Sequence, residues 1–348
     1  MRRFRRRVVV AVGLAVLAAA PLPQARALID PPDYQATEKD FSLERFSAGS
    51  VNITNTFLPV VPGSTFTLTG TANRGGGGNA HQVIFTVTEL TKVVNGVRTV
   101  VLWDRDIQEG VLVEEELAFW AQDDSGNVWL LGEYPEEHEG KNVSAPSAWL
   151  AGNQGSAAGI LMRANPKLNT PSYKQGEAPS VEFLDVASVF AENQHTCVPV
   201  GCFDGVLVVD EFDPNQQPQD GHQFKYHAPG VGIVQVAARG GDEQETLVAT
   251  EHRTLTADEL AAASARALQL DTQAYTLAPA VFTGSAPAEV CPLPIVPPST
   301  ITPPPFPART CPPVPTAPAE VPPVPDTPAA PVTPPATEPP QTPVAPAA

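Results

Sequence analysis

The sequence predicts an all-β fold: an antiparallel curved sheet, half-barrel or barrel-like, followed by a short C-terminal helix and a disordered proline-rich tail. Three observations lead to this prediction. Short alternating apolar and polar runs recur from about residue 51 to about residue 251, with turn residues between them. Asn95-Gly96 is a tight-turn dipeptide between two such runs. The runs follow one another with short turns, which favours a meander over parallel strands joined by helices. A closed barrel, a half-barrel and a sandwich all fit this pattern.

The stretch Leu112–Gly132 is the clearest hairpin in the chain. In an extended strand Phe119 and Trp120 point to opposite faces. The turn is Asp123-Asp124-Ser125-Gly126-Asn127, whose side chains and glycine suit a loop of about five residues. A second β-branched and aromatic run then begins around Trp129. We expect the two tryptophans to pack in the core, and a ligand-facing aromatic wall is the alternative.

The first 27 residues have the pattern of a signal peptide. An arginine-rich start precedes the apolar run Val8–Ala20, and Ala25-Arg26-Ala27 is a small-x-small cleavage site. The apolar run is about 13 residues long, shorter than the ~20 that a spanning helix needs. The sequence therefore predicts cleavage near Ala27 and a secreted or extracytoplasmic protein without a membrane span. Residues 28–45 form a polar lead-in segment.

The predicted antiparallel β-domain covers residues 46–252. A first strand or extended edge is expected at 51–57, and the glycine run 75–78 is expected at a hairpin tip rather than around a phosphate. The remaining strands are expected at 64–70, 81–89, 97–103, 181–190, 203–212, 223–227, 233–238 and 245–251, in addition to the hairpin.

The segment Tyr134–Gln175 interrupts the regular spacing of the strands. It contains Pro135, an acidic cluster around His138, Trp149 and a glycine-rich stretch. Long irregular segments in compact domains are uncommon and often line binding sites. We therefore expect a binding mouth here.

A helix is predicted at 255–272. Thr256 and Glu259 form a capping box, and an alanine-rich run follows. The residues expected near one face are Leu260, Ala263, Ala267 and Leu270. The tail begins at Ser285, and 24 of the 64 residues of 285–348 are proline. Such a composition cannot form a packed core, so the tail is expected to be extended and disordered.

The charge of the chain is strongly acidic. The formal net charge is −17. Residues 1–27 hold six arginines and no acid, so the mature chain keeps 15 basic and 38 acidic residues, a net charge of −23. A field of this sign repels nucleic acid and anionic membrane surfaces, so no nucleic-acid partner is predicted.

The four cysteines are Cys197, Cys202, Cys291 and Cys311. An even number of cysteines in an exported protein suggests disulfides, and the spacing favours Cys197–Cys202 and Cys291–Cys311. A zinc site would need a second close pair of ligands, which the sequence lacks.

No established catalytic or metal-binding motif is present in the sequence. There is no nucleophile elbow, no HExxH, no phosphate loop and no dinucleotide fingerprint. His222 and His227 lie five residues apart, so one strand would place them on opposite faces. The acidic loops at Asp123 and at Asp210–Asp213 are calcium candidates, with a turn and a solvated loop as alternatives. The sequence predicts no catalytic residue, no metal site and no cofactor.

Four phrases in order carry a resemblance to a known family: FLPVVPGSTF from Phe57, FWAQDDSGNVWLLGE from Phe119, AGILMRANPK from Ala158 and YHAPGVGIVQV from Tyr226. Over about residues 46–250 the chain resembles a widespread, largely uncharacterised family of exported bacterial β-proteins. The last phrase is also similar to exported proteins with the half-barrel of the periplasmic lipoprotein carriers. The resemblance implies an exported β-fold, and it brings no catalytic residues with it.

Three functions remain open at this point. The first is an exported, non-enzymatic protein that binds a small apolar or aromatic ligand on a concave sheet face. The ligand would contact Trp120, Trp129, Trp149 and Tyr134. The second is a structural or surface-interaction module that binds a cell-envelope component, marked by a filled core without a cavity. The third is a hydrolase, which requires carboxylates or histidines gathered in one cleft.

Overall fold

The protein is described by a computed structural model that covers residues 41–74, 78–215, 221–241 and 243–291, together with Cys311 and Val314. The predicted signal peptide 1–27, most of the lead-in, and nearly all of the tail after residue 291 lie outside these residues.

The fold is a closed antiparallel barrel of twelve strands with extra strands attached. The strands are β1 (Ser64–Arg74), β2 (Gly78–Val94), β3 (Val97–Gln108), β4 (Val111–Gln122), β5 (Val128–Glu139), β6 (Asn142–Ser144), β7 (Trp149–Leu150), β8 (Ala157–Met162), β9 (Tyr173–Ala178), β10 (Phe183–Val198), β11 (Gly201–Phe212), β12 (His222–Ala228), β13 (Gly232–Arg239), β14 (Glu243–Thr254) and β15 (Glu289–Val290). Neighbours around the barrel are β1-β2-β3-β4-β5-β8-β9-β10-β11-β12-β13-β14, and β14 pairs with β1 to close the ring. The predicted all-β class is confirmed, and of the three sequence-based architectures the closed barrel is the one observed.

Two of the predicted hairpins are confirmed. Asn95 and Gly96 both have positive φ, 47° and 79°, which is the backbone of the two-residue turn expected from this dipeptide. Val94 pairs with Val97 across that turn. The stretch Leu112–Gly132 forms most of the β4–β5 hairpin, with its turn at residues 123–127.

The chain before β1 crosses one end of the barrel. Asn55 Nδ2 donates hydrogen bonds to the carbonyl oxygens of Gly126 and Arg163, at 3.0 and 3.1 Å. At the next residue, the carbonyl of Thr56 accepts a hydrogen bond from the amide of Gly230, at 2.7 Å, on the other side of the ring. This crossing segment (residues 47–62) has no strand, so the strand or extended edge predicted at 51–57 is wrong as a strand. Its apolar residues instead close this end of the barrel, and Val51 is almost fully buried.

Two helices cover the outside of the barrel wall. Helix α1 is Ala257–Leu277 and helix α2 is Pro279–Phe282. A C-terminal helix is present as predicted, at 257–277 instead of 255–272, and the capping box of Thr256 and Glu259 is present. The outward-facing ring of Phe119 packs against Phe282, with ring centroids 6.4 Å apart. A large part of the apolar core thus lies between the outer wall and the helices, not inside the barrel.

The segment Tyr134–Gln175 differs from the irregular insertion that the sequence predicts. It completes β5, contains β6, β7 and β8, and begins β9. Gly159 allows a close approach of β8 and β9, because a Cβ on Gly159 would lie 2.2 Å from the carbonyl carbon of Gln175. Gly159 belongs to the glycine-rich stretch that makes the sequence resemble a loop.

The first residues of the predicted tail are also ordered on the barrel. Strand β15 pairs with β2, and the amide of Cys291 donates to the carbonyl of Glu89 at 2.9 Å. The prediction of a disordered tail from Ser285 is therefore wrong over residues 289–291, because Glu289 and Val290 pair with β2 and Cys291 is hydrogen-bonded to Glu89. The later residues of that prediction lie outside the described part of the chain, apart from 311 and 314.

Both predicted disulfides are present. Cys197 is bonded to Cys202 and Cys291 is bonded to Cys311. Such bonds are typical of oxidising, extracytoplasmic compartments. Within the described residues, neither helix is long and apolar enough to cross a bilayer.

Candidate functional site

The inward face of β3 and β4 carries carboxylates where a small barrel usually has apolar side chains. Asp104 on β3 and Glu116 on β4 are direct cross-strand partners. Their neighbours of the same parity, Asp106 and Glu114, are also partners and face the interior as well. Like charges directly opposite one another in a sheet are destabilising, so this arrangement opposes folding of the empty barrel.

Two adjoining cavities lie inside the barrel, with volumes of about 190 and 220 Å³. They share five wall residues: Phe85, Asp104, Glu116, Lys225 and Ile233. The second cavity reaches Leu58 of the crossing segment, whereas the first is bordered by residues nearer the opposite end of the barrel. The walls combine aliphatic and aromatic side chains with eight carboxyl groups, which are those of Asp104, Asp106, Glu114, Glu116, Glu133, Asp185, Glu211 and Glu245.

Part of this negative charge is neutralised next to the first cavity. His81 lies between Asp106 and Glu245, with Nε2 to carboxylate distances of 3.0 and 2.9 Å, and its side chain is only 1% exposed. Burial alone would lower the pKa of His81, but the two carboxylates outweigh it and raise the pKa to about 9. At neutral pH His81 is therefore a cation that joins β2, β3 and β14 across the interior.

Lys225 neutralises a third carboxylate. Its Nζ forms an ion pair with Glu211 on the neighbouring strand. Burial would lower the pKa of Lys225, but the charge and hydrogen bond of Glu211 raise it above its usual range. Lys225 thus stays protonated and is the one lysine on the walls of the two cavities.

Asp104 and Glu116 have no such partner. Among the described residues, no cationic side chain forms an ion pair with either carboxyl group, and Asp104 Oδ1 is buried without a hydrogen bond. Burial and the charges of Asp106 and Glu114 raise the pKa of Asp104 well above its usual range, against one hydrogen bond from the backbone of Arg105. Burial and the charge of Glu133 raise the pKa of Glu116 in the same way.

Glu133 extends the acidic surface along the wall of the second cavity. Trp149 Nε1 donates a hydrogen bond to Glu133 Oε2 at 3.0 Å. Burial raises the pKa of Glu133 to about 7, although the hydrogen bond from Trp149 opposes this rise. Glu133 therefore changes its protonation near neutral pH, a property that is common at functional sites.

His227 supplies a different kind of polar group to the second cavity. Its Nδ1 is 3.0 Å from the carbonyl oxygen of Phe57 in the crossing segment, so Nδ1 carries the hydrogen. Nε2 on the other side of the ring is then an acceptor, and it is buried without a partner. The residue is 2% exposed, and burial lowers its pKa to about 4, so the ring is neutral at pH 7.

Of the four aromatic residues that the sequence predicts as ligand contacts, Trp120 borders the second cavity. Trp129 lies on the outward face of β5, against Phe41 and Phe46. Tyr134 is also outward, with its ring 5.3 Å from that of Phe282.

Trp149 is fully buried one contact behind the wall of the second cavity. It stacks on Phe183 and donates its indole hydrogen bond to Glu133. The four predicted residues thus do not form one surface, and Trp120 alone of them borders either of the two cavities.

The loop and cysteine candidates for metal binding have other roles. Asp123 accepts from the amides of Ser125 and Asn127 and from Trp129 Nε1, at 2.9 to 3.0 Å, so it stabilises the β4–β5 turn. His195 lies near Cys197 and Cys202, but both sulfurs are joined in a disulfide. His222 and His227 lie on opposite faces of β12, as their spacing predicts, and His222 bonds to Asp210.

The interior carboxylates were missed by the sequence analysis, which did not identify which face of β3 and β4 is turned inward. A signal was nevertheless present. Acids occupy alternate positions in two consecutive strands, at 104 and 106 and at 114 and 116, and the outward partners are large apolar residues such as Leu117 and Phe119.

Comparison with known proteins gives little further support. No family model matches this chain, and no curated protein matches it. The chain is similar to a crystallised protein from Parabacteroides distasonis that is provisionally described as a lipoprotein. The two share 13% sequence identity with a TM-score of 0.31, over 57% of this chain and 99% of that one. A likeness of this size carries no argument about function.

Proposed function

We propose that this chain is an exported, non-enzymatic protein that holds a small ligand inside its barrel. The observation that carries the proposal is the pair of adjoining cavities whose walls combine apolar side chains with buried polar groups that lack partners. Ligand sites are typically concave, largely apolar and fitted with a few oriented polar groups. The two disulfides support an extracytoplasmic location.

The size of the cavities limits the ligand. An apolar cavity of about 150 Å³ is enough to hold benzene. Each of the two spaces is somewhat larger than that, at about 190 and 220 Å³. This supports a ligand of roughly one ring with a short chain, lying against Trp120 and the aliphatic residues around it. An apolar or aromatic ligand body is thus retained from the sequence-based hypothesis, with Trp120 as its contact.

The structural-module alternative receives less support from the geometry. Its mark would be a filled interior, and the barrel has unfilled space beside Asp104 and Glu116. The crossing segment and the docked residues 285–291 are still consistent with an envelope partner on the outside of the barrel.

Native mass spectrometry of the mature protein, purified gently from its own secretion host, tests the proposal. We expect a small molecule that is retained in the native spectrum and lost on denaturation, with a bare mass four hydrogens below that of the reduced chain. Adding the extracted molecule back should change the tryptophan fluorescence of the wild type but not of Trp120→Phe. Trp103→Phe is the matched control, because Trp103 lies on the outer face and donates to Glu115. A bare chain in every preparation, with unchanged fluorescence, would contradict the proposal.

A hydrolase is the second candidate, and one observation favours it. The interior gathers carboxyl groups in different environments: burial raises the pKa of Glu133 to about 7, whereas Glu211 forms an ion pair with Lys225. Pairs of carboxyls whose environments separate their pKa values serve as acid and base in glycosidases. Turnover of small nitrophenyl glycosides or esters that is lost in Glu133→Gln would support this candidate, and no turnover across such a panel would exclude these substrates.

A further inference from the structure

We infer that the ligand of this barrel is a small organic cation, a protonated amine on an apolar body, bound between Asp104 and Glu116 with Trp120 and His227 beside it. This inference rests on the proposed function and names its ligand class.

The first step concerns charge that the protein leaves without a counter-ion. Asp106 and Glu245 are paired with His81, and Glu211 is paired with Lys225. Asp104 and Glu116, which belong to neither of these groups, border both cavities. They face each other directly across β3 and β4. A cation placed at the junction of the two cavities would contact both carboxyl groups at once and remove their mutual repulsion.

The second step concerns His227, which is independent of the carboxylates. The carbonyl of Phe57 fixes the ring with its hydrogen on Nδ1, so Nε2 can only accept. This acceptor is buried in the wall of the second cavity without a partner in the described residues. A buried acceptor without a partner costs free energy, and a ligand N–H would satisfy it. An ammonium group has three such donors, whereas a carboxylate ligand has none.

The third step separates an organic cation from a metal ion. Ca²⁺ requires six to eight oxygen ligands around it. The wall of the second cavity beside Asp104 and Glu116 is instead apolar at half of its residues, with Phe85, Leu102 and Ile233 among them. An ammonium group bonded to an apolar body matches such a wall, because the ammonium can contact the two carboxyl groups while the body contacts the apolar side chains. The indole of Trp120 adds an aromatic surface on which a cation is favourable.

The test uses calorimetry at pH 7.5 on the full mature protein after removal of bound small molecules. Three probes of one shape are compared: 2-phenylethylamine, 2-phenylethanol and phenylacetate. We expect the amine to bind at least tenfold more tightly than the alcohol, and phenylacetate not to bind. Calcium chloride is titrated separately, and we expect it neither to bind nor to displace the amine.

Variants assign the effect to the two carboxyl groups. Asp104→Asn and Glu116→Gln should each weaken amine binding at least tenfold and leave the affinity for the alcohol unchanged. Asp124→Asn removes the same charge from an exposed turn and should change neither the affinity for the amine nor the affinity for the alcohol. The first two variants should also unfold at the same temperature as the empty wild type or higher, because each removes an unpaired carboxyl from the interior.

Each result has a distinct meaning. Equal or tighter binding of the alcohol or of phenylacetate would overturn the cation assignment and leave the ligand-binding barrel intact. Calcium that binds and excludes the amine would also overturn it, in favour of a metal site. A neutral or anionic molecule retained in native mass spectra would also overturn the cation assignment. A bare chain in those spectra together with no binding of any probe would remove the proposed function as well.

Discussion

At the scale of single residues, buried carboxylates have two opposite roles in this barrel. Asp123 is 2% exposed and is surrounded by donors: two backbone amides, the side chain of Asn127 and the indole of Trp129. Asp104 is enclosed and has an oxygen without any donor. Asp123 therefore stabilises the fold, whereas Asp104 is positioned to accept a hydrogen bond from a ligand.

Asp123→Ala should destabilise the protein by about 3–5 kcal/mol, because several buried donors lose one charged acceptor. The change is measured as a lower urea midpoint at unchanged slope. Asp124→Ala is the control: its side chain is exposed one position further along the same turn, and its loss should cost less than about 0.5 kcal/mol. An equal loss in both variants would show that the turn, not the Asp123 carboxylate, carries the effect.

The residue scale is also where the sequence is least informative about the site. Alternation shows that Asp104 and Glu116 lie on the opposite face from Trp103 and Leu117, but it does not show which face is inside. In this barrel the helices cover the apolar outer face of β3–β5, so the polar face is turned inward. The aromatic residues that attract attention in the sequence, Trp129 among them, consequently fill the space outside the wall.

At the scale of elements, the sequence predicted the turns and helix ends that depend on residues adjacent in the chain. The Asn95-Gly96 turn and the capping box of Thr256 depend on neighbouring residues alone. Strands β6 to β9 are short, and Gly159 is needed where β8 and β9 approach closely. Strands β7 and β8 pair with β5 residues that are distant along the chain, so no local pattern identifies them.

Helix α1 is joined to the barrel by a buried ion pair. Lys92 Nζ donates to Asp271 Oδ1 at 2.8 Å and to the carbonyl of Ala286 at 2.7 Å, and Asp271 Oδ2 accepts from the amide of Ala288 at 2.8 Å. Lys92 and Asp271 are 0% and 1% exposed at their side chains. This pair therefore links β2, α1 and the docked residues 285–291 at one point.

Asp271→Ala should cost about 3–5 kcal/mol, because it leaves the Lys92 charge buried without compensation. The double variant Lys92→Met with Asp271→Leu should recover most of that loss, since an apolar pair of similar size needs no counter-ion. Both are measured by urea unfolding, with Asp258→Ala in the exposed first turn of α1 as the control. A double variant as unstable as the single one would show that packing, not charge, fixes the helix.

At the scale of the whole molecule, the barrel combines groups whose protonation responds to pH in opposite directions. Burial raises the pKa of Glu133 to about 7, and raises those of Asp104 and Glu116. Carboxylates raise the pKa of His81 to about 9 despite its burial. Burial lowers the pKa of His227 to about 4. The charged groups that face these residues are those of Asp106, Glu114, Asp185, Glu211, Lys225 and Glu245.

The sign of each contribution follows from proton linkage. The folded state keeps the carboxyl protons to a higher pH than the unfolded chain, so stability falls as pH rises above the ordinary carboxyl range, and the contribution of Glu133 is lost as pH rises to about 7. The stability from the protonated His81 is complete below about pH 6.5 and is lost as pH rises through about 9. The neutral His227 acts in the other direction, because its contribution is lost as pH falls from about 6.5 to about 4.

We therefore expect the empty protein to lose stability as the pH rises from 6 to 8.5, as measured by thermal unfolding across that range. The alkaline loss should be smaller in Glu133→Gln, which cannot ionise, and unchanged in Asp124→Asn. A bound organic cation should also reduce the alkaline loss, because it pairs with the carboxylates that ionise there. A stability that rises steadily from pH 6 to 8.5 in the empty protein would contradict this account. The interior acids would then have to be paired within the folded chain, and a cation would have no charge left to neutralise.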